Sequence, residues 1–179
     1  LAERSLRKAL TQPGKLCLIA ELKRKSPSRG MLRERFDPVS LAQQLVEAGA
    51  SALSVLTDEK FFGGHLDFLH DVKPFVDVPV LRKDFIVDPY QVYESALHQA
   101  DAVLLIVQAL TEEDLQQCLV AADALGMDAL VEVHDEEELK TALGLGAGLI
   151  GLNHRDLKTF RLHPDVAARL VPKIPKGKC

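Results

Sequence analysis

The sequence has no large excess of either charge, no long apolar run and no paired-cysteine motif. A net charge of −4 over 179 residues gives no general attraction for nucleic acid or acidic membranes, so any grip on an anionic ligand must come from local groups. The longest apolar runs are strand length, too short to span a bilayer. Cys17, Cys118 and Cys179 are odd in number and far apart, without the spacing that holds zinc or a redox disulfide. Cys17, inside an apolar run, reads as a small buried side chain. Charges at Glu3, Arg4, Arg7 and Lys8 argue against a signal peptide, and a reducing compartment, the cytoplasm or an organelle stroma, is the expected location. No Gly-x-Ser-x-Gly elbow, Walker loop or dinucleotide-type Gly-x-Gly-x-x-Gly loop opening a helix is found. Gly144, Gly146, Gly148 and Gly151 cluster, but they straddle a helix end and the next strand. His134 and His154 end neighbouring strands without a third ligand at metal spacing, so neither metal nor cofactor is expected. No disordered tail or low-complexity linker is visible, and residues 1–179 read as one domain with a substantial core.

What is present is a repeat. Short apolar runs recur at Leu16–Ala20, Ala52–Leu56, Val78–Leu81, Ala102–Val107, Ala129–Val133 and Leu149–Leu152. Runs of this kind, without polar alternation, suit parallel strands buried on both faces. Amphipathic helices lie between them. Asp37-Pro38 and Asp88-Pro89 supply helix starts, Thr111–Asp114 a capping box, and Asp135–Glu138 and His163-Pro164-Asp165 two more. From Thr57 to Lys83, Val107, Glu132 and Asn153 the steps are 26, 24, 25 and 21 residues. Repeated βα units of this length make a parallel α/β sheet with right-handed crossovers. Six such units fit either an open doubly wound sheet or most of a (β/α)₈ barrel, which usually takes about 250 residues.

In both architectures the chemistry belongs at the C-terminal ends of the strands. Polar residues there are Glu21 and Lys23, Thr57, Arg82 and Lys83, Gln108, Glu132 and His134, then Asn153 and Arg155. Glu21 and Lys23 share a strand face by period two, either as a strand-end ion pair or as part of a site. Lys83 is an internal ion-pair partner or a proton donor in a cleft. Glu132, between Val131 and Val133, is a carboxylate inside a buried strand, which is costly unless paired or functional. Two carboxylates and two lysines at one mouth would form an acid–base site.

The stretch Ile19-Ala20-Glu21-Leu22-Lys23-Arg24-Lys25-Ser26-Pro27-Ser28-Arg29-Gly30 resembles the first strand and loop of indole-3-glycerol phosphate synthases, where Glu-x-Lys-x-x-Ser-Pro-Ser is highly specific. Ser54–Gly64, Leu81–Phe85, Leu104–Val107, Leu130–His134 and Gly151–Leu157 are similar to the family's second to sixth strands, so the likeness covers the whole chain. It implies a TIM barrel of the ribulose-phosphate-binding type with about six units present. The implied reaction converts 1-(2-carboxyphenylamino)-1-deoxyribulose 5-phosphate to indole-3-glycerol phosphate, without cofactor or metal, in tryptophan biosynthesis. By position, Lys83 is the implied general acid, and Glu132 with the Glu21/Lys23 pair serves later proton transfers. Lys25 is the implied phosphate contact, Ser26, Asn153 and Arg155 line the substrate site, and Phe62 and Phe85 pack around its aromatic part. His154 stands where relatives commonly carry Asn. The chain stops where a seventh strand would begin, so a C-terminally incomplete barrel is expected, lacking the loops that supply most of the family's phosphate grip. Its first and sixth strands would then present open edges suited to self-association. The alternative is a catalytically silent fragment acting as an assembly module.

Overall fold

Apolar runs without alternation must be covered on both faces, and one curled sheet covers all six here. The computed structural model describes residues 4–156, 159 and 161–179; Glu3 and Leu157, used above, lie outside them. In chain order the elements are α1 (Leu6–Leu10), β1 (Ile19–Leu22), β2 (Lys25–Ser26), β3 (Gly30–Met31), α2 (Pro38–Glu47), β4 (Ala52–Leu56), α3 (Glu59–Phe62), α4 (Asp67–Val72), β5 (Val80–Lys83), α5 (Tyr90–Leu97), β6 (Ala102–Ile106), α6 (Glu112–Ala124), β7 (Asp128–Val133), α7 (Glu136–Gly144), β8 (Leu149–Leu152) and α8 (Val166–Leu170). Short 3-10 turns at Lys73–Phe75, Val107–Ala109 and Val171–Lys173 complete them. Strands β1, β4, β5, β6, β7 and β8 lie side by side in chain order, all parallel. Each strand is thus laid next to its predecessor with no reversal of order. That is the winding of a barrel, and it excludes the doubly wound alternative. Strands β2 and β3 form a small antiparallel hairpin in the loop after β1.

Period two sorts the strand side chains onto two faces. Leu53, Val55, Val80, Val103, Leu105, Val131, Val133 and Ile150 face the helices in the larger core. Ala52, Leu81, Ala102, Leu104, Ile106 and Leu149 pack in the lumen. Helix α1 closes the lower end of that lumen with Leu6, which is fully buried. Asp128 at the start of β7 holds it there, its Oδ2 accepting from Ser5 Oγ at 2.8 Å and from the Arg7 amide at 3.0 Å. On the far side of β8, Cys179 N donates to Gly148 O at 3.0 Å and Ile150 N donates to Cys179 O at 2.6 Å. This is the bonding of a parallel neighbour strand, so the edge of β8 is engaged at one residue.

Helix starts follow the caps. Asp37, Thr111 and Asp135 accept from the amides of Ser40, Asp114 and Glu138. At α5 the cap is Pro89, and Asp88 Oδ1 accepts from Tyr90 N at 2.8 Å. Two strands begin later than the apolar runs suggest. The run from Leu16 enters the sheet only at Ile19, where pairing with Ala52 starts, and Leu16 and Leu18 stay exposed. Cys17 is correspondingly half-buried, not buried. The run from Val78 enters only at Val80, after Pro79, so Arg82 and Lys83 are inside β5.

Arg82 and Lys83 therefore face opposite ways. Arg82, nearly fully buried, sits on the outer face of the sheet. Its guanidinium donates to Asp84 Oδ2 at 3.0 Å, Glu94 Oε2 at 2.9 Å, Ser95 Oγ at 3.0 Å and Gln91 O at 3.0 Å. Thr57 joins the group, its hydroxyl donating to Asp84 Oδ2 at 2.5 Å and accepting from Arg82 Nε at 3.2 Å. This network ties β4, β5 and α5 together. Removing one partner of a buried ion pair leaves the others charged and unpaired. Arg82→Met is expected to destabilise the fold by about 3–5 kcal/mol, read from denaturant unfolding; a loss below about 1 kcal/mol would show that the network is not structural.

Candidate active site

The lumen changes character from one end to the other. Above the apolar layers, the same inward-facing register carries Glu21, Lys83, Glu132 and Asn153. Leu56 pairs with Lys83, and Ile106 and Gly151 flank Glu132. Only 7% of Glu132 is exposed, and a carboxylate so buried needs partners. It has two. Asn153 Nδ2 donates to Oε1 at 2.8 Å, and Lys83 Nζ stands 3.5 Å from Oε2. The Asn153 amide is itself oriented, because its Oδ1 accepts from Arg155 N at 2.9 Å. Gly151, paired beside Glu132, lets Leu130 pack closely, since a Cβ there would lie 3.3 Å from the Leu130 side chain. Lys23 Nζ donates to Glu21 Oε1 across the mouth. Both of those side chains are about one-third exposed, so the pair can separate at little cost.

These groups border a cleft of about 200 Å³ whose floor is Leu56, Leu104 and Ile106 and whose wall includes Phe62 and Phe85. A wider recess of about 530 Å³, lined by Ser26, Arg29, Leu32 and Arg155 among others, shares Lys23, Phe62 and Phe85 with it. The two are one continuous mouth. Its aromatic wall is a tilted pair with ring centroids 6.3 Å apart. Phe62 is held by a capped turn: Asp58 Oδ1 accepts from Phe61 N at 2.6 Å and Phe62 N at 3.1 Å. Gly63 ends α3 with φ +63, a conformation open to glycine at no steric cost. Gly64 then passes so close to β4 that an added Cβ would lie 2.2 Å from Leu56 O.

Of the residues singled out from sequence, Glu21, Lys23, Phe62, Lys83, Phe85, Glu132 and Asn153 meet in the inner cleft, with Ser26 and Arg155 in the outer recess. Lys25 lies apart, its stem over Gly63 and its Nζ donating to Lys60 O at 2.9 Å. Thr57 and Arg82 turn to the outer face, and Gln108 lies in the 3-10 turn after β6. His154 lines neither part of the mouth. Asp58, Asp84 and Arg29 border the mouth without having been singled out. Asp58 was open to detection as the cap before Glu59–Phe62. The apolar floor was hidden among residues that read as ordinary core.

A family model described as indole-3-glycerol phosphate synthase matches residues 1–179. The chain belongs to the indole-3-glycerol phosphate synthase family. Proteins of that name from Sulfurimonas denitrificans, Mycobacteroides abscessus and Chlorobium limicola are 48%, 50% and 51% identical to it over 90%, 94% and 90% of its length. The chain spans only 61%, 62% and 63% of those three relatives. Among solved structures, 3-hexulose-6-phosphate synthase superposes with a TM-score of 0.53 at 18% identity, over 63% of this chain and 56% of its own. That likeness speaks to the barrel fold alone. Among the described residues, no helix is long and apolar enough to cross a membrane.

The Gly64 contact gives a prediction for this family member. Gly64→Ala should push the Phe62 turn off the end of β4, with an overpacking cost of about 1–3 kcal/mol. Denaturant midpoints and the ring resonances of Phe62 and Phe85 would report it. An unchanged midpoint with unshifted rings would show that the turn absorbs a methyl group freely.

Proposed function

We propose that this mouth performs the indole-3-glycerol phosphate synthase reaction on 1-(2-carboxyphenylamino)-1-deoxyribulose 5-phosphate. The observation that carries the reading is the convergence of Lys83, Glu132 and the Glu21/Lys23 pair, from three different strands, on one cleft with an apolar floor. The substrate's aromatic ring fits between that floor and the Phe62/Phe85 wall. Its carboxylate fits the cationic side of the mouth, where Lys23 and Arg155 stand. Lys83 Nζ donates a proton to the ribulose carbonyl oxygen while the ring carbon bearing the carboxylate attacks the carbonyl carbon. Loss of carbon dioxide returns the electron pair to the ring. The new hydroxyl then leaves as water, taking a proton from an acid as a base removes one from the adjacent carbon. Glu132, oriented by Asn153, and the Glu21/Lys23 pair serve these last transfers. Lys25, leaving the Lys60 carbonyl, and Ser26 reach the phosphate from the first loop.

Residues 1–179 then represent six units of one barrel domain, and the resemblance puts most of the phosphate grip in two further units. Remote binding energy holds a substrate in its reactive pose, so these 179 residues alone bind it weakly and turn it over slowly. Leu16 and Leu18 are exposed just before β1, whose outer edge pairs with no other strand among the described residues, a template on which a second copy pairs. Assembly of the acid–base set favours an enzyme over a silent assembly module.

Turnover followed by indole fluorescence tests the reading. Lys83→Met keeps side-chain length without a proton and should lower kcat by about 10²–10⁴-fold. Glu132→Gln should abolish turnover at a nearly unchanged melting temperature. A Lys83→Met variant with most of its kcat would remove Lys83 from the acid role, and a destabilised but active Glu132→Gln would make Glu132 a structural partner. Sedimentation of the chain should show association beyond a monomer. A stable monomer with kcat/KM equal to that of a full-length relative would overturn the weak-activity and self-association expectations together.

A further inference from the structure

His134, immediately after β7, plays no part in the chemistry above, yet it is built into the back of the site. Its side chain is 11% exposed. Glu138, in the first turn of α7, holds it twice through one oxygen: Oε2 stands 3.0 Å from His134 Nδ1 and accepts the His134 backbone N–H at 2.8 Å. Glu138 is in turn fixed by the cap, its amide donating to Asp135 Oδ1 at 2.9 Å. A carboxylate at Nδ1 selects the tautomer with hydrogen on that nitrogen. The other nitrogen, Nε2, is buried without a hydrogen-bond partner among the described residues, which costs free energy unless some state of the protein satisfies it. It points along the lumen at Glu132 Oε1, 3.7 Å away.

We propose that His134 is a positioning residue that shares a proton with Glu132 and so sets the carboxylate's readiness as a base. The inference rests on the acid–base role of Glu132 proposed above. The starting pair is an ionised Glu132 and a neutral ring whose Nδ1–H bonds to Glu138. When Glu132 takes a proton from substrate, that proton faces the Nε2 lone pair of a neutral ring. Passing it from Oε1 to Nε2 regenerates the carboxylate and leaves the imidazolium, with nothing else consumed. Among the described residues, the charged groups paired with the ring are Glu138 from α7 and Glu132 from β7, with Lys83 of β5 acting through Glu132; the neutral Asn153 amide also reaches Glu132.

Imidazole nitrogen NMR on the 179-residue chain decides the matter, with His134→Gln assigning the resonance. The neutral ring should carry its hydrogen on Nδ1, and Glu132→Gln should move the His134 Nε2 resonance, because it replaces the facing carboxylate with an amide. An Nε2 resonance unmoved in a folded Glu132→Gln protein would overturn the proposal. If that variant does not fold, the wild-type tautomer still decides, since a ring with hydrogen on Nε2 alone contradicts the arrangement. Turnover is recorded on the same samples. Coupling without turnover in the wild type or in a full-length relative keeps the shared proton and sinks only the proposed function. Where turnover is measurable, His134→Gln should lower kcat about tenfold or more, displace its pH profile and leave KM unchanged. A purely structural histidine would instead be replaced by glutamine with the pH profile intact.

Discussion

Hydrogen bonding between parallel neighbours holds every strand of this sheet at a definite height and rotation, and the site is a consequence. Pairing Ala20 with Leu53 obliges Glu21 to stand beside Ser54 and to face inward. The same constraint, carried across β4 to β8, brings Lys83, Glu132 and Asn153 to the same end of the lumen. A slip of one residue in any pair would exchange the faces, sending lysine or glutamate among the helices and a valine into the cleft. Closely packed helices on the outer face forbid such a slip, because they require Val55, Val103, Leu105 and Val131 where they are.

Neighbouring residues consequently have unlike fates. Arg82 and Lys83 are adjacent cations, one saturated with acceptors behind the sheet and the other half-committed to Glu132 in front of it. The first fixes geometry, and the second, about one-third exposed, keeps room to move. Glu132 and the Glu21/Lys23 pair show the same contrast within the cleft. The buried carboxylate is held by two partners, whereas the exposed pair is solvated and easily parted.

Much of this was legible in the chain. The βα repeat indicated six units, and Glu21, Lys83, Glu132 and Asn153 stand in or just after apolar runs, which put them together at the C-terminal ends of the strands. Strand entry was not legible, because apolarity alone does not distinguish Leu16, which no neighbour covers, from Ile19, which pairs with Ala52. Barrel winding was not legible from the period, since strand order is a property of long-range pairing and both orders produce the same local pattern; the family resemblance implied it. Thr57, Arg82 and Gln108 ended strands just as Lys83 did, and only their direction in space sets them apart. His134 gave the weakest signal: its meaning depends on Glu138, one helical turn away, and on an atom of Glu132 that the strand brings round beneath it.

Helix α1 has a consequence for the order of events during folding. Its seat is made by Asp128, separated from Ser5 by 123 positions, and Arg7 reaches Gly177 O across 170. No local contact can put Leu6 in the lumen before β7 is in place, so a helix made before every strand of the sheet docks only after most of them. Loops of that length are slow to close. Until they do, the bottom of the barrel stands open with its apolar layer wet, and the nascent chain depends for that interval on whatever keeps exposed strands apart.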